Sequence, residues 1–152
     1  MIRNATKFDI PRIIEMLWHY HSSGNIKNLS IDNDKSALKI LTIILMGGGV
    51  AFVSEKDNKI TGMLLAVMAP FLWDQTKLVM NEICYWVEPE YRGSSAGYRL
   101  IKEYTSYCEE LKDQNRIINY TMSQMSGQNL NYERFGLRPI RSEEHTSELQ
   151  SR

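Results

Sequence analysis

The stretch with the most chemistry in it is Val87-Glu88-Pro89-Glu90-Tyr91-Arg92-Gly93-Ser94-Ser95-Ala96-Gly97. An apolar strand pattern runs into it, small residues fill its second half, and a helical pattern leaves it. The first turn of a helix carries backbone N–H groups with no partner inside the helix, and a partial positive charge. That suits a phosphate. Small residues let such a ligand approach the backbone closely, and Arg92 adds a guanidinium. A plain strand-to-helix turn has the same composition, so the loop alone leaves both readings open. The sequence has no G-x-x-x-x-G-K-[ST] run and no G-x-G-x-x-G run, which removes two common nucleotide loops. Gly47-Gly48-Gly49 follows a helical pattern instead of opening one and reads as a helix stop.

The surrounding periodicities define the frame for this loop. Ile2 to Ala5 alternates as a short strand. Thr6 or Asp9 caps a helix with Pro11 in its first turn and Ile10, Ile13, Ile14 and Leu17 on one face. That helix fades near Tyr20, and Ser22 to Asn25 reads as a loop. A second helix starts around Asp32 to Asp34, with Ala37, Leu38, Leu41, Ile44 and Leu45 as its apolar stripe. Val50 to Glu55 and Ile60 to Met68 are strands joined by a turn at Asp57-Asn58-Lys59. Pro70 to Gln75 reads as a loop loaded with Phe71, Leu72 and Trp73, and Leu78 to Val87 as a long strand. Gly97 to Leu111 is a helix with Leu100, Ile101, Tyr104, Tyr107, Cys108 and Leu111 inward. Arg116 to Met122 is a strand, Ser126 to Phe135 a short helix, and Leu137 to Ile140 a final strand. The order is β-α-α-β-β-β-α-β-α-β, an α/β (α+β) chain with a mixed sheet in one domain, residues 1–140.

Composition narrows the classes. The chain has 152 residues, 43% apolar and 24% charged, which is ordinary for one globular domain. Its 18 basic residues balance 18 acidic ones, so the electrostatic footprint of a nucleic-acid binder is missing. Two cysteines do not make a disulfide scaffold. No apolar run is long enough to span a membrane, and the first residues lack a signal-peptide core. A soluble, cytoplasmic protein is the expectation.

The loop resembles the acyl-CoA-binding motif [QR]-x-x-G-x-[GA] of the GNAT superfamily of N-acyltransferases. Arg92 stands at its first position and Gly97 at its last, with Ser95 where glycine is usual. Val87-x-Pro89-x-Tyr91-Arg92-Gly93, the opening Ile2-Arg3-x-Ala5-Thr6 with Asp9-x-Pro11, and Tyr132-Glu133-Arg134-Phe135-Gly136-Leu137 are also similar to family elements, in the same order along residues 1 to 140. The resemblance implies transfer of an acetyl group from acetyl-CoA to a primary amine by direct attack through a tetrahedral intermediate, with no metal. It implies a cofactor site at Arg92, Gly93, Ser94, Ser95, Ala96 and Gly97, and oxyanion donors at the amides of Trp86 and Val87. Glu82 falls where the family often places a carboxylate base, and Tyr132 where it places a tyrosine acid. Strand alternation puts Glu82, Cys84 and Trp86 on one face. Apolar neighbours there would raise the pKa of Glu82 toward a useful value. A solvated or ion-paired carboxylate and a packing tyrosine are the bland alternatives. The alternative for the whole chain is a GNAT-fold module that binds CoA or a protein without catalysis.

The other reactive side chains read as structural. His19 and His21 sit at a helix end, capping it or facing solvent, and their i, i+2 spacing does not share a helix face for a metal. Cys84 and Cys108 read as small apolar fillers. Phe71-Leu72-Trp73 is either the wall of a substrate pocket or the surface of a homodimer. Acceptor specificity is expected in the loops Ser22 to Ile31 and Pro70 to Thr76. The acceptor itself, a small molecule or a protein amine, is not named by any motif.

From Arg141 the chain reads R-S-E-E-H-T-S-E-L-Q-S-R. Its first eleven residues match the translation of a common sequencing-library adapter. Residues 141–152 are therefore expected to be non-native, to pack against nothing, and to stand where a natural chain continues past Ile140. The family's last strand is expected to be missing.

Overall fold

The computed structural model describes residues 1–23, 33–123, 132–140 and 148–151. The elements are β1 (Ile2–Asn4), α1 (Ile10–Ser23), α2 (Asn33–Ile43), β2 (Gly49–Lys56), β3 (Lys59–Phe71), β4 (Asp74–Val87), α3 (Ala96–Asp113), β5 (Asn119–Ser123), β6 (Leu137–Ile140) and β7 (Glu148–Ser151). One sheet runs β1-β2-β3-β4-β5-β7-β6. Every pairing in it is antiparallel except β4 with β5.

Local chemistry sets most boundaries. Thr6 and Asp9 form a reciprocal capping box ahead of α1, and Arg3 pairs with Asp9 at 2.8 Å. The β2–β3 turn places Asp57 and Asn58 at φ 52° and 62°, residue types that tolerate this region. Gly47, at φ 102°, ends the wide helical turn after α2. The sheet separates two apolar layers. Leu100, Ile101, Tyr104, Cys108 and Leu111 of α3 pack with Phe52, Leu64, Ala66, Tyr85 and Val87 on one face. Ile13, Met16, Leu41 and Ile44 pack with Val53, Met63, Leu65, Cys84 and Trp86 on the other. Of the stripe expected on α3, Leu100, Ile101, Tyr104, Cys108 and Leu111 are buried and Tyr107 is half-buried. On α2, Leu41 is buried while Leu38 is exposed.

Two expectations are corrected here. The loop expected from Pro70 to Gln75 is a tight hairpin, with β3 running to Phe71 and β4 resuming at Asp74. Pro70 is tolerated because β2 stops pairing at Gly49 with Val67, so the missing N–H of Pro70 has no ladder to break. Leu72 and Trp73 stand exposed at its tip. The tail, expected to pack against nothing, supplies β7. Thr121, Met122 and Ser123 pair with Gln150, Leu149 and Glu148, and residues 137–140 pair with the other edge. The physical reason is that a strand slot between two open edges is filled by backbone N–H and C=O groups, which every non-proline residue carries. The short helix expected over Ser126 to Phe135 is described only at its end, as a tight turn over Tyr132–Phe135. The rest of it lies outside the described residues, as does most of the loop from Ser22 to Ile31.

Candidate active site

The loop after β4 has the expected form. Pro89–Tyr91 makes a single tight turn, Gly93 sits at φ 92°, and α3 begins at Ala96. Ser94 Oγ accepts from the Ala96 amide at 3.3 Å, and Arg99 N–H donates to Ser95 O at 2.9 Å. The amides of Gly97 and Tyr98 make no hydrogen bond among the described residues, so two donors at the positive end of α3 are left for a ligand. A Cβ at Gly97 would collide with the Tyr85 hydroxyl, so glycine is what lets α3 start this close to β4. A cavity of about 280 Å³ flanks the loop, lined by Tyr91, Ser94, Ser95, Ala96 and Arg99 among others.

The region beside the loop is shaped by a bulge. Leu65 pairs with Cys84 and Ala66 with Glu82, which leaves Ile83 as an extra, exposed residue in β4. The bulge reverses the facing of everything after it. Glu82 shares its face with Met80 and the α3 layer, whereas Cys84 and Trp86 belong to the α1–α2 layer. The expectation that Glu82, Cys84 and Trp86 lie on one face is thereby corrected. Uninterrupted alternation was assumed, and one inserted residue inverts it.

The parallel ladder between β4 and β5 ends at Asn81 with Thr121. Just past that point Glu82 Oε2 accepts from the Ser123 amide at 3.1 Å. The carboxylate thus bridges the two strands where they part. It is buried, and burial pushes its pKa up to about 7 against the opposing pull of the Ser123 amide. Tyr20 of α1 lies on the other side of this opening. Its pKa is raised to about 12 by burial and by the negative forms of Cys84 and Glu82, and its ring meets Trp86 edge-on at 5.9 Å.

The amides around Trp86 divide by direction. Glu88 N–H donates to Thr61 O at 2.9 Å, toward β3. By the two-residue period of a strand, the amide of Trp86 also faces β3, and those of Tyr85 and Val87 face the open side. Of the two expected oxyanion donors, only Val87 therefore has its N–H on the open edge. Arg92 Nε donates to Val87 O at 2.9 Å, and its guanidinium lies 4.4 Å from the Trp86 ring centre. The acid assigned to Tyr132 falls on a side chain outside the described residues. Its backbone opens the turn before β6.

Sequence reasoning missed three residues here: Tyr20, His19 and Glu88. His19 Nδ1 lies 2.8 Å from Glu88 Oε1, and Trp86 Nε1 donates to the same oxygen at 2.7 Å. His19 was expected to cap a helix or face solvent. No local signal pairs it with a residue 69 positions away. Both cysteines are free and buried, as fillers would be, and burial raises both thiol pKa values. Among the described residues no group of His, Cys, Asp and Glu is arranged to hold a metal, and no helix is long and apolar enough to cross a membrane.

A small-residue loop at a helix start thus lies beside a parted parallel strand pair, with a buried carboxylate at the fork, in a mixed α/β sheet. The family model for the acetyltransferase (GNAT) family matches residues 10–137, and the chain belongs to that family of acyl-CoA-dependent N-acetyltransferases. Solved structures agree on the fold. A predicted acetyltransferase with acetyl-CoA from Clostridium acetobutylicum is 18% identical, with a TM-score of 0.74 over 95% of this chain and 92% of that one. The ribosomal-protein-alanine N-acetyltransferase of Brucella melitensis is 17% identical, with a TM-score of 0.73 over 99% and 98%. An aminoglycoside acetyltransferase from an uncultured soil metagenomic sample, in complex with sisomicin, is 18% identical, with a TM-score of 0.62 over 83% and 78%. No curated protein matches the chain.

Proposed function

We propose that this chain transfers the acetyl group of acetyl-CoA to a primary amine by direct attack, with Glu82 as the general base. The observation that carries this is the buried Glu82 carboxylate at the β4–β5 fork, with a pKa pushed up to about 7. A protonated amine, with a pKa of ~10 for a lysine-like group, has no lone pair to attack a thioester. A base that titrates near neutral pH removes that proton, directly or through water, without holding it too weakly. The pyrophosphate of acetyl-CoA lies against the backbone of Gly93, Ser94, Ser95, Ala96 and Gly97, with the free Nη groups of Arg92 beside it. The thioester carbonyl points to the open edge of β4, where the Val87 amide stabilises the oxyanion. When the tetrahedral intermediate collapses, the C–S bond breaks, and Tyr132 gives its proton to the leaving thiolate. The acceptor approaches from the Tyr20 side.

The test is release of free CoA thiol from acetyl-CoA across a panel of small amines and amine-bearing peptides, read beside calorimetric binding of CoA. CoA binding with amine-dependent thiol release supports the reading. Binding without release on any amine makes the chain a non-catalytic CoA-binding module, and no binding removes the site altogether.

A further inference from the structure

Six residues beyond Glu82 on the same chain segment, a second buried carboxylate does something the acetyl-transfer chemistry does not use. Glu88 is the first residue after β4 and is almost wholly buried. Its backbone is pinned to β3 through the Thr61 carbonyl. Its Oε1 accepts from Trp86 Nε1 at 2.7 Å and meets His19 Nδ1 at 2.8 Å. Arg12 Nη2 stands 3.8 Å from Oε2. Both partners beyond Trp86 come from α1, so this one carboxylate ties that helix to the end of β4. The Trp86 ring is fixed in three ways: its N–H by Glu88, a T-shaped contact with Tyr20 at 5.9 Å, and the Arg92 guanidinium over its ring at 4.4 Å. Arg92 in turn spends only Nε on the protein, at Val87 O, and its Nη groups make no hydrogen bond among the described residues.

We infer that Glu88 is a positioning residue for the acyl-CoA site: by holding the Trp86 indole from behind, it sets the plane on which the Arg92 guanidinium rests and so aims that cation at the phosphate loop. This rests on the acetyl-CoA reading above. Charge makes the anchor strong. A hydrogen bond from a neutral donor to a carboxylate is short and about twice as strong as one between neutral groups. Burial works to raise the Glu88 pKa, but the His19 and Trp86 hydrogen bonds, with the charges of His19 and Arg12, leave the pKa lowered. The carboxylate is therefore ionised at neutral pH. A guanidinium is planar, so the orientation of its supporting ring decides where its two free Nη groups point. An indole without its N–H partner is held by packing alone, so its plane is less sharply set and the cation resting on it loses its bearing.

The test is calorimetric affinity of the full chain for CoA itself, which needs no acceptor amine. Glu88→Leu removes the acceptor for the indole and is expected to weaken CoA binding about tenfold. Glu88→Gln keeps one acceptor oxygen and is expected to restore affinity to within about threefold of the parent. Arg92→Ala removes the cation, and adding Glu88→Leu to it should cost nothing further, since both act on one contact. Should Glu88→Leu fail to fold, Trp86→Phe breaks the same link from the donor side while keeping an aromatic ring, and carries the same tenfold expectation. Affinities within twofold of the parent for Glu88→Leu or Trp86→Phe overturn the inference, as do losses that add to that of Arg92→Ala. A parent chain that does not bind CoA overturns the acetyl-transfer reading itself and takes this inference with it.

Discussion

Glu82 and Glu88 are the same residue type at the two ends of one short stretch of chain, and both are buried, yet their proton affinities move in opposite directions. Glu82 sits at the fork of two strands, where Ser123 donates to it, and burial dominates, raising its pKa to about 7. Glu88 sits at the junction of β4 and α1. There burial also works to raise it, but the hydrogen bonds of His19 and Trp86, together with the charges of His19 and Arg12, leave it lowered. The difference teaches that burial alone does not set the role of a carboxylate; its balance against the donors and charges around the group does. The poorly satisfied carboxylate is left able to exchange a proton at neutral pH. The well-satisfied one is an anchor. Environments that drive two like groups apart are how one fold separates chemistry from scaffolding.

The comparison breaks most sharply in kinetics. Glu82→Gln should lower turnover at neutral pH by about 10²–10⁴-fold, the usual worth of a positioned acid or base, with CoA affinity unchanged. The loss should shrink as pH rises toward the pKa of the acceptor, where free amine is abundant. A pH–rate profile for parent and variant decides it: a loss that is constant with pH would show Glu82 orienting substrate instead of taking a proton. Tyr132→Phe should lower turnover by about 10²-fold while leaving CoA affinity intact, since it removes a proton donor and keeps shape. Normal turnover in that variant would end the acid assignment. Gly97→Val should weaken CoA binding by at least about tenfold in titration calorimetry. Its side chain must displace the Tyr85 hydroxyl or push α3 from β4, disturbing donors that only the first turn of a helix offers.

Stability against pH sharpens the same contrast with a smaller effect. The folded-state pKa of Glu82 lies above its unfolded value, so between about pH 4.5 and 7 the folded chain keeps a proton that the unfolded chain has released. Stability therefore falls as pH rises through that window. Glu82→Gln removes the penalty, and its advantage over the parent in urea melts should grow from pH 5 to pH 8, to at most about 3 kcal/mol. Glu88 has the opposite sign. Its contribution is present above the ordinary carboxylate range and lost on acidification, so Glu88→Gln should cost most at neutral pH and least near pH 3. Parallel curves for the two variants would erase the distinction. The smallest expected effect concerns β7. Gln150 pairs with Thr121 on one side and Arg138 on the other, so Gln150→Pro should lower the melting temperature by a few degrees, since a proline in a central strand removes a ladder hydrogen bond. No change would mean the slot contributes little to the fold.

The sequence alone determined the class of fold, the position of the small-residue loop before α3 and most of α3. These depend on local periodicity and on glycine and small residues at fixed places, which act over a few residues. Thr6 with Asp9, the Asp57-Asn58 turn and the inward stripe from Leu100 to Leu111 are of this kind. Tertiary structure alone decided the facing of Glu82, because a bulge at Ile83 depends on the register of β3 against β4 and leaves no mark in the alternation itself. It decided that the Trp86 amide faces β3 and the Val87 amide the open edge. It brought His19 to Glu88 and Tyr20 to the fork, contacts made by packing α1 on the sheet across long stretches of chain. It also gave a strand to the tail, because an open sheet edge asks for backbone donors and acceptors and is indifferent to the meaning of the side chains that carry them.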